Sequence, residues 1–152
     1  MSKHENDIDQ SELSSVAGGL RRPTPARMTR AGREHMAPVD VAALAYRHGI
    51  PYGEPLVMAT AIAGAESGWQ PNNDNRAHPN RNGTYDVGLW QINSTHPKWL
   101  SYDPDTNAAG MAALSYGGKS WRAWSTYNNG AYRRYLPQAR EAVSELGHRI
   151  GR

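Results

Sequence analysis

Asp86-Val87-Gly88-Leu89-Trp90-Gln91-Ile92-Asn93 is the stretch on which the fold is read. It closes a polar insert, residues 70–87, rich in Asn, Pro, Gly and Asp. That composition predicts turns and a short irregular hairpin. Glu66 stands 20 residues before Asp86, in the run Ala63-Gly64-Ala65-Glu66-Ser67-Gly68-Trp69, where an apolar helix is predicted to end. A carboxylate gains nothing at a helix C-terminus, where the dipole is negative. Its neighbours at i−3 and i−4, Ala63 and Ile62, are apolar, and Trp69 lies three residues on. Desolvation and the dipole both push the pKa of such a carboxyl upward, the condition for holding a proton near neutral pH. An exposed glutamate at a helix end is the plain alternative for this run taken alone.

Outward from these runs the apolar spacing is helical. Val57, Met58, Ala61, Ile62 and Ala65 form one side of a helix that starts near Glu54-Pro55 and stops at Gly68. Upstream, Asp40 is read as the cap of a short helix through Ala42, Leu44, Ala45 and Tyr46, ended by Gly49 and Pro51. Downstream, Asp103 to Tyr116 reads as a third helix. Asp105 or Thr106 is its expected cap, and Ala109, Ala112, Ala113 and Leu114 its apolar side. Trp121 to Tyr127 reads as a short aromatic helix and Tyr132 to Leu146 as the last one. No internal repeat is visible. The expected fold is mainly α (α+β), a helical domain with a small turn-rich β region, spanning residues 38–152.

Residues 1–37 read as a flexible basic arm. Glu5, Asp7, Asp9 and Glu12 are followed by Gly18-Gly19 and then by Arg21, Arg22, Arg27, Arg30 and Arg33. Few bulky apolar residues and prolines at 23 and 25 leave too little burial to offset the ordering entropy. Such an arginine run could bind phosphates. A solvated tail or a docking segment for a larger assembly is the favoured reading.

Composition narrows the function classes. A length of 152 residues suits one domain. Without cysteine there is no disulfide framework, thiolate metal site or cysteine nucleophile. A net charge of +3 and a pI near 9.3 suit an anionic polymer, whether cell wall or nucleic acid. Five Trp and eight Tyr with no Phe suit helix packing first and wet grooves second. No stretch approaches the roughly 20 apolar residues of a membrane span. The polar start, Met1 to Gln10, is not the hydrophobic core of a signal peptide, so delivery by another route is expected. His78 and His96 lack the spacing of a zinc pair, and Gly117-Gly118-Lys119-Ser120 lacks that of a phosphate loop. Neither metal nor cofactor is expected.

Taken in order, these motifs resemble the lysozyme and Slt-type lytic transglycosylase superfamily. In that superfamily a helix ends in Glu-Ser, a small β region follows, and then comes a Gly-hydrophobic-hydrophobic-Gln-Ile-Asn segment. Asp103-Pro104-Asp105-Thr106-Asn107-Ala108-Ala109 and Trp124-Ser125-Thr126-Tyr127-Asn128-Asn129-Gly130 extend the resemblance to about residues 55–135. The resemblance implies cleavage of peptidoglycan between N-acetylmuramic acid and N-acetylglucosamine, with Glu66 as general acid. It implies that Ser67 hydrogen-bonds near the carboxyl or the sugar, or else caps the helix. Gln91 and Asn93 would line the groove, with backbone turn bonding as their alternative. Tyr127 and Asn128 would face Glu66 from the opposite wall, with core packing the rival for Tyr127.

Asp86 stands where animal-type lysozymes, the type case for paired carboxylates of split pKa, carry their second carboxylate. With it, water would complete a hydrolysis. In a lytic transglycosylase Glu66 alone would act as acid and then base, and the substrate's C6 hydroxyl would close a 1,6-anhydro ring. The segment around Tyr127 resembles the transglycosylase pattern more, although Thr126 stands where Ala is usual there. The favoured expectation is therefore a lytic transglycosylase, with a hydrolytic muramidase using Glu66 and Asp86 as alternative. A non-catalytic wall-binding or phage tail protein of the same fold is the alternative of another class. A nucleic-acid-binding module driven by the arginine arm is a further rival, and no nucleic-acid partner is expected. The reading as a whole points to a phage lysin or virion-associated enzyme acting on the bacterial cell wall, with particle partners docking through residues 1–37.

Overall fold

A computed structural model describes residues 35–152, so most of the expected arm lies outside the described residues. Five α-helices are seen there: Pro38–Arg47 (α1), Glu54–Ser67 (α2), Pro104–Leu114 (α3), the single turn Ser125–Asn128 (α4) and Leu136–Arg149 (α5). Two short 3-10 helices, Pro97–Trp99 and Ala131–Tyr135, join them. The fold is mainly α, with one two-stranded sheet.

α2 is the central element because its sequence offers no polar face. Leu56, Val57, Ala59, Thr60, Ala61, Ile62, Ala63 and Gly64 are all buried, on every side of the helix. A helix apolar all round must be surrounded. α1, α5 and the second 3-10 helix surround it, and α1 and α5 also pack on each other. Thr60 satisfies its buried hydroxyl by donating to Leu56 O at 2.8 Å. Met36 is only 4 % exposed, and its backbone N–H donates to Trp69 O at 2.8 Å. The packed core thus takes in a residue ahead of the boundary expected between 37 and 38.

Several helix ends differ from their sequence expectation. α1 begins at Pro38, with Ala37 before it, and Asp40 sits inside the first turn. Proline at N1 loses no hydrogen bond and brings a preset φ, which outweighs a side-chain cap two residues on. The same rule shifts α3: Pro104 takes N1, so Asp103 is the cap, accepting from Thr106 N at 3.0 Å. Asp105 instead meets Arg47 at 3.1 Å and His48 at 2.9 Å, tying α3 to α1. The expected aromatic helix shrinks to Ser125–Asn128, because Trp124 is extended (φ −105, ψ 123). In that conformation its indole N–H reaches Trp90 O at 2.9 Å. The last helix starts later, at Leu136, after the 3-10 turn.

Asp86–Val87 (β1) and Ile92–Asn93 (β2) pair antiparallel, Asp86 opposite Asn93 and Val87 opposite Ile92. The turn between them is anchored by Asn107 of α3, fully buried. Its Oδ1 accepts from Trp90 N at 2.8 Å, and its Nδ2 donates to Val87 O at 2.8 Å and Ser101 O at 3.1 Å. Gly88, at φ +89, is required twice over: by that left-handed φ, and because a Cβ there would lie 2.2 Å from Asn107 Nδ2. Trp90 is buried and donates its indole N–H to Ala59 O of α2 at 2.9 Å. The hairpin is thus fastened to α2 on one side and α3 on the other.

Candidate active site

Glu66 is the penultimate residue of α2, which Gly68 ends in the left-handed conformation (φ +65). The chain then doubles back, and the Trp69 indole N–H donates to Thr60 O at 3.0 Å. Gly64 makes this possible, since a Cβ there would come within 2.6 Å of the Trp69 ring. Tyr135 meets Trp69 edge-on at 5.5 Å and completes an apolar wall behind the helix end. Ser67 is buried. Its hydroxyl lies 3.0 Å from Ala63 O and 2.9 Å from Leu89 O, and accepts from Gln70 N at 3.2 Å. Of the two expectations for Ser67, the contacts match the role at the helix end and not one toward the carboxyl: the hydroxyl is committed to backbone and locks the end of α2 onto the hairpin turn.

A cavity of about 270 Å³ opens in front of Glu66, lined also by Asp86, Gln91, Asn93, His96 and Trp124. Two carboxylates therefore face one cleft, in opposite surroundings. Burial raises the Glu66 carboxyl from 4.5 to about 7. The Thr126 hydroxyl, donating to Oε2 at 2.7 Å, opposes that rise, Asp86's charge adds to it, and the Thr126 backbone N–H pulls weakly down. The upward push of Asp86 was not read from the sequence, which pointed to burial and the helix dipole. Asp86 itself is ringed by amides. Asn93 Nδ2 donates to Oδ1 at 2.8 Å, and Asn80 Nδ2 at 3.1 Å and Asn75 Nδ2 at 3.2 Å both donate to Oδ2. Asn75 also accepts the Asp86 backbone N–H at 2.7 Å, which fixes the strand it stands on.

The structure brings Glu66, Asp86, Gln91 and Asn93 together but gives the last two a supporting part. Gln91, left-handed at φ +48, donates from Nε2 to Gly88 O at 2.9 Å and Asn73 O at 3.1 Å. Asn93 donates to Asp86 and to Thr84 Oγ1 at 3.0 Å. Tyr127 and Asn128 do not line the cavity. Tyr127 stacks on Tyr132 at 5.3 Å, and Asn128 donates to Arg122 O at 2.9 Å. The residue that meets Glu66 from the opposite wall is Thr126, one position earlier than expected. Its departure from the family's usual Ala was the signal. Asn75 and Asn80 were also missed, because Asn-rich segments read as turns before they read as ligands for a carboxylate.

The family described as "Lysozyme like domain" matches residues 42–126, more than half of the chain. The chain belongs to that family. It is a lysozyme-like domain of the peptidoglycan-acting glycosidase type, and among the described residues no helix is long and apolar enough to cross a membrane. Comparison with curated proteins gives no match.

Proposed function

We propose that the chain cleaves the β-1,4 bond between N-acetylmuramic acid and N-acetylglucosamine in peptidoglycan as a lytic transglycosylase. The observation that carries this reading is Glu66 in the cleft with a pKa near 7. A residue that must first give a proton and then take one back works best when its pKa lies near the working pH. Glu66 protonates the glycosidic oxygen as the bond breaks. Its carboxylate then accepts the proton of the muramic C6 hydroxyl, which closes on C1 to leave a 1,6-anhydro end. Asp86, held by three amide donors, supplies a fixed negative charge beside the developing oxocarbenium ion. Gln91 and Asn93 line the cleft, and Asn93 helps to keep that charge in place.

A hydrolytic muramidase is the second reading, favoured by the pair itself. One buried acid and one amide-bound carboxylate in a single cleft are the split environments that paired-carboxylate hydrolysis uses. Mass spectrometry of muropeptides released from purified sacculi separates the two: anhydro ends support transglycosylation, and reducing ends support hydrolysis. Intact sacculi after prolonged digestion would leave only a wall-binding role.

The reading extends to a phage-encoded enzyme, a lysin or virion component, whose residues 1–37 dock it while residues 38–152, together with Met36, carry the activity. Its support is the arm's composition, acidic and then arginine-rich. Finding no trace of the chain in purified particles by immunodetection, and none in lysates at the time of lysis, would refute it.

A further inference from the structure

Thr126 is the second residue of the single-turn helix α4, whose start is set by the extended Trp124 before it. Sixty positions from Glu66 in sequence, its hydroxyl lies 2.7 Å from Glu66 Oε2. A hydroxyl has one proton to donate. Among the described residues Thr126 Oγ1 makes no other hydrogen bond, so that proton goes to Oε2. An oxygen already accepting an O–H is the poorer seat for the carboxyl's own proton, since two hydrogens would then face each other. Oε1, which accepts no side-chain hydrogen bond among the described residues, is the better one.

We propose that Thr126 is a positioning residue: by donating to Oε2 it fixes the carboxyl plane of Glu66 and keeps the acidic proton on Oε1, toward the cleft. This rests on Glu66 being the proton donor of the reaction proposed above. During cleavage the Oε1–H bond breaks and the leaving oxygen takes the proton, which leaves a carboxylate. The Thr126 hydrogen bond then becomes charge-assisted and roughly twice as strong. Thr126 therefore favours the carboxylate over the acid, the direction opposite to burial. A hydroxyl at this position makes a buried acid a readier donor.

The test compares Thr126→Val, which removes the hydroxyl and keeps the branched shape, with Thr126→Ser, which keeps the hydroxyl. In the full chain, ¹³C-carboxyl NMR should show Glu66 titrating at higher pH in Thr126→Val than in the wild type or in Thr126→Ser. With sacculi, Thr126→Val should lose roughly tenfold in kcat with little change in KM. The alkaline limb of its pH–rate profile should also move to higher pH. A purely structural role would lower the melting temperature and leave that limb in place. Unchanged Glu66 titration in Thr126→Val overturns the proposal whatever the activity. So does a Thr126→Ser variant that behaves like Thr126→Val, because the methyl packing would then be responsible. Should the titration move as expected while Glu66→Gln still digests sacculi, the enzymatic reading fails and the Thr126 contact stands.

Discussion

The end of α2 and the β1–β2 hairpin each deliver one carboxylate to the same cleft, and they treat it in opposite ways. Around Glu66 the chain offers Ile62 and Ala63, both fully buried, with Trp69 folded behind and a single hydroxyl in front. Around Asp86 it offers Asn75, Asn80 and Asn93, three amide donors, and the strand that carries Asp86 is pinned by a fourth amide, Asn107. Apolar burial penalises charge, so Glu66 keeps its proton to about pH 7. Amide N–H groups satisfy charge, so Asp86 has what an acceptor-only carboxylate requires. Two acids 20 positions apart thus sit in opposite environments set by their neighbours.

The largest effect is expected where the difference is removed on the α2 side. Glu66→Gln keeps the shape and can still accept from Thr126, but it cannot donate an acidic proton. Sacculus clearing should fall by roughly 10²–10⁴-fold with the circular dichroism spectrum unchanged. A variant retaining more than about a tenth of the wild-type rate would remove Glu66 from its role.

On the hairpin side the largest effect is on stability. Asn107→Ala leaves Trp90 N–H buried without its partner and takes one acceptor bond each from Val87 C=O, which Ile92 still faces across the strand pair, and Ser101 C=O. At about 1–3 kcal/mol for the orphaned N–H and about 1 kcal/mol for each further bond lost, roughly 3 kcal/mol or more should be lost. The melting temperature should then drop by about 10 °C or more. A drop of only a degree or two would mean that the turn is held from the α2 side alone, through Trp90 and Ser67.

How much of this was legible in the sequence follows from the same physics. The apolar run of α2 and its stop at Gly68 are local signals and stand where the spacing put them, whereas the hairpin expected within residues 70–87 pairs Asp86–Val87 with Ile92–Asn93, at and beyond the end of that insert. Tertiary contacts were not legible. Trp124 gives up a helical conformation to place its indole on Trp90 O, which starts α4 at Ser125 and turns Thr126, not Tyr127, toward Glu66. One residue on a helix is about 100° of rotation, so a small boundary error exchanges the residue facing the site. For Ser67 the alternative role at the helix end prevails: a hydroxyl one turn from Ala63 O, with Leu89 O brought up by the hairpin, is held by backbone before any ligand arrives. Met36 escaped because composition marks where a chain becomes polar, not where a single side chain tucks back.

The raised pKa of Glu66 also has a cost in stability, and its sign is fixed. Unfolded, the group titrates near 4.5; folded, near 7. Between those values the folded state binds more protons than the unfolded one, so rising pH removes stability, and the loss is complete above about 7. Glu66→Gln escapes it. The variant should therefore be more stable than the wild type at about pH 8, by on the order of 2 kcal/mol after allowance for partial solvent access. At about pH 4 the two should melt together. Equal melting temperatures at both values would mean that the folded carboxyl ionises as an ordinary glutamate does, and the contrast between the two acids would disappear.

Asp86→Asn is the smallest change and the one that separates the two mechanisms. The substitution keeps a polar group of the same size but removes the negative charge beside the reacting sugar. One of the surrounding amides must then face an NH₂ instead of an acceptor. In transglycosylation Glu66 carries both proton transfers, and Asp86 contributes field and orientation. A loss of about tenfold is expected, equivalent to about 1.4 kcal/mol of barrier. With less negative charge nearby, Glu66 should also titrate lower, so the alkaline limb of the rate profile should move to lower pH, opposite to its movement in Thr126→Val. If the second carboxylate instead forms the covalent intermediate or alone balances the oxocarbenium charge, the loss should reach the order of 10³-fold or more. The products must agree with the rate. Anhydro ends with a tenfold defect keep Asp86 as a charge in the wall of the cleft. Reducing ends with near-complete loss make it the reacting partner of Glu66, and the enzyme a muramidase.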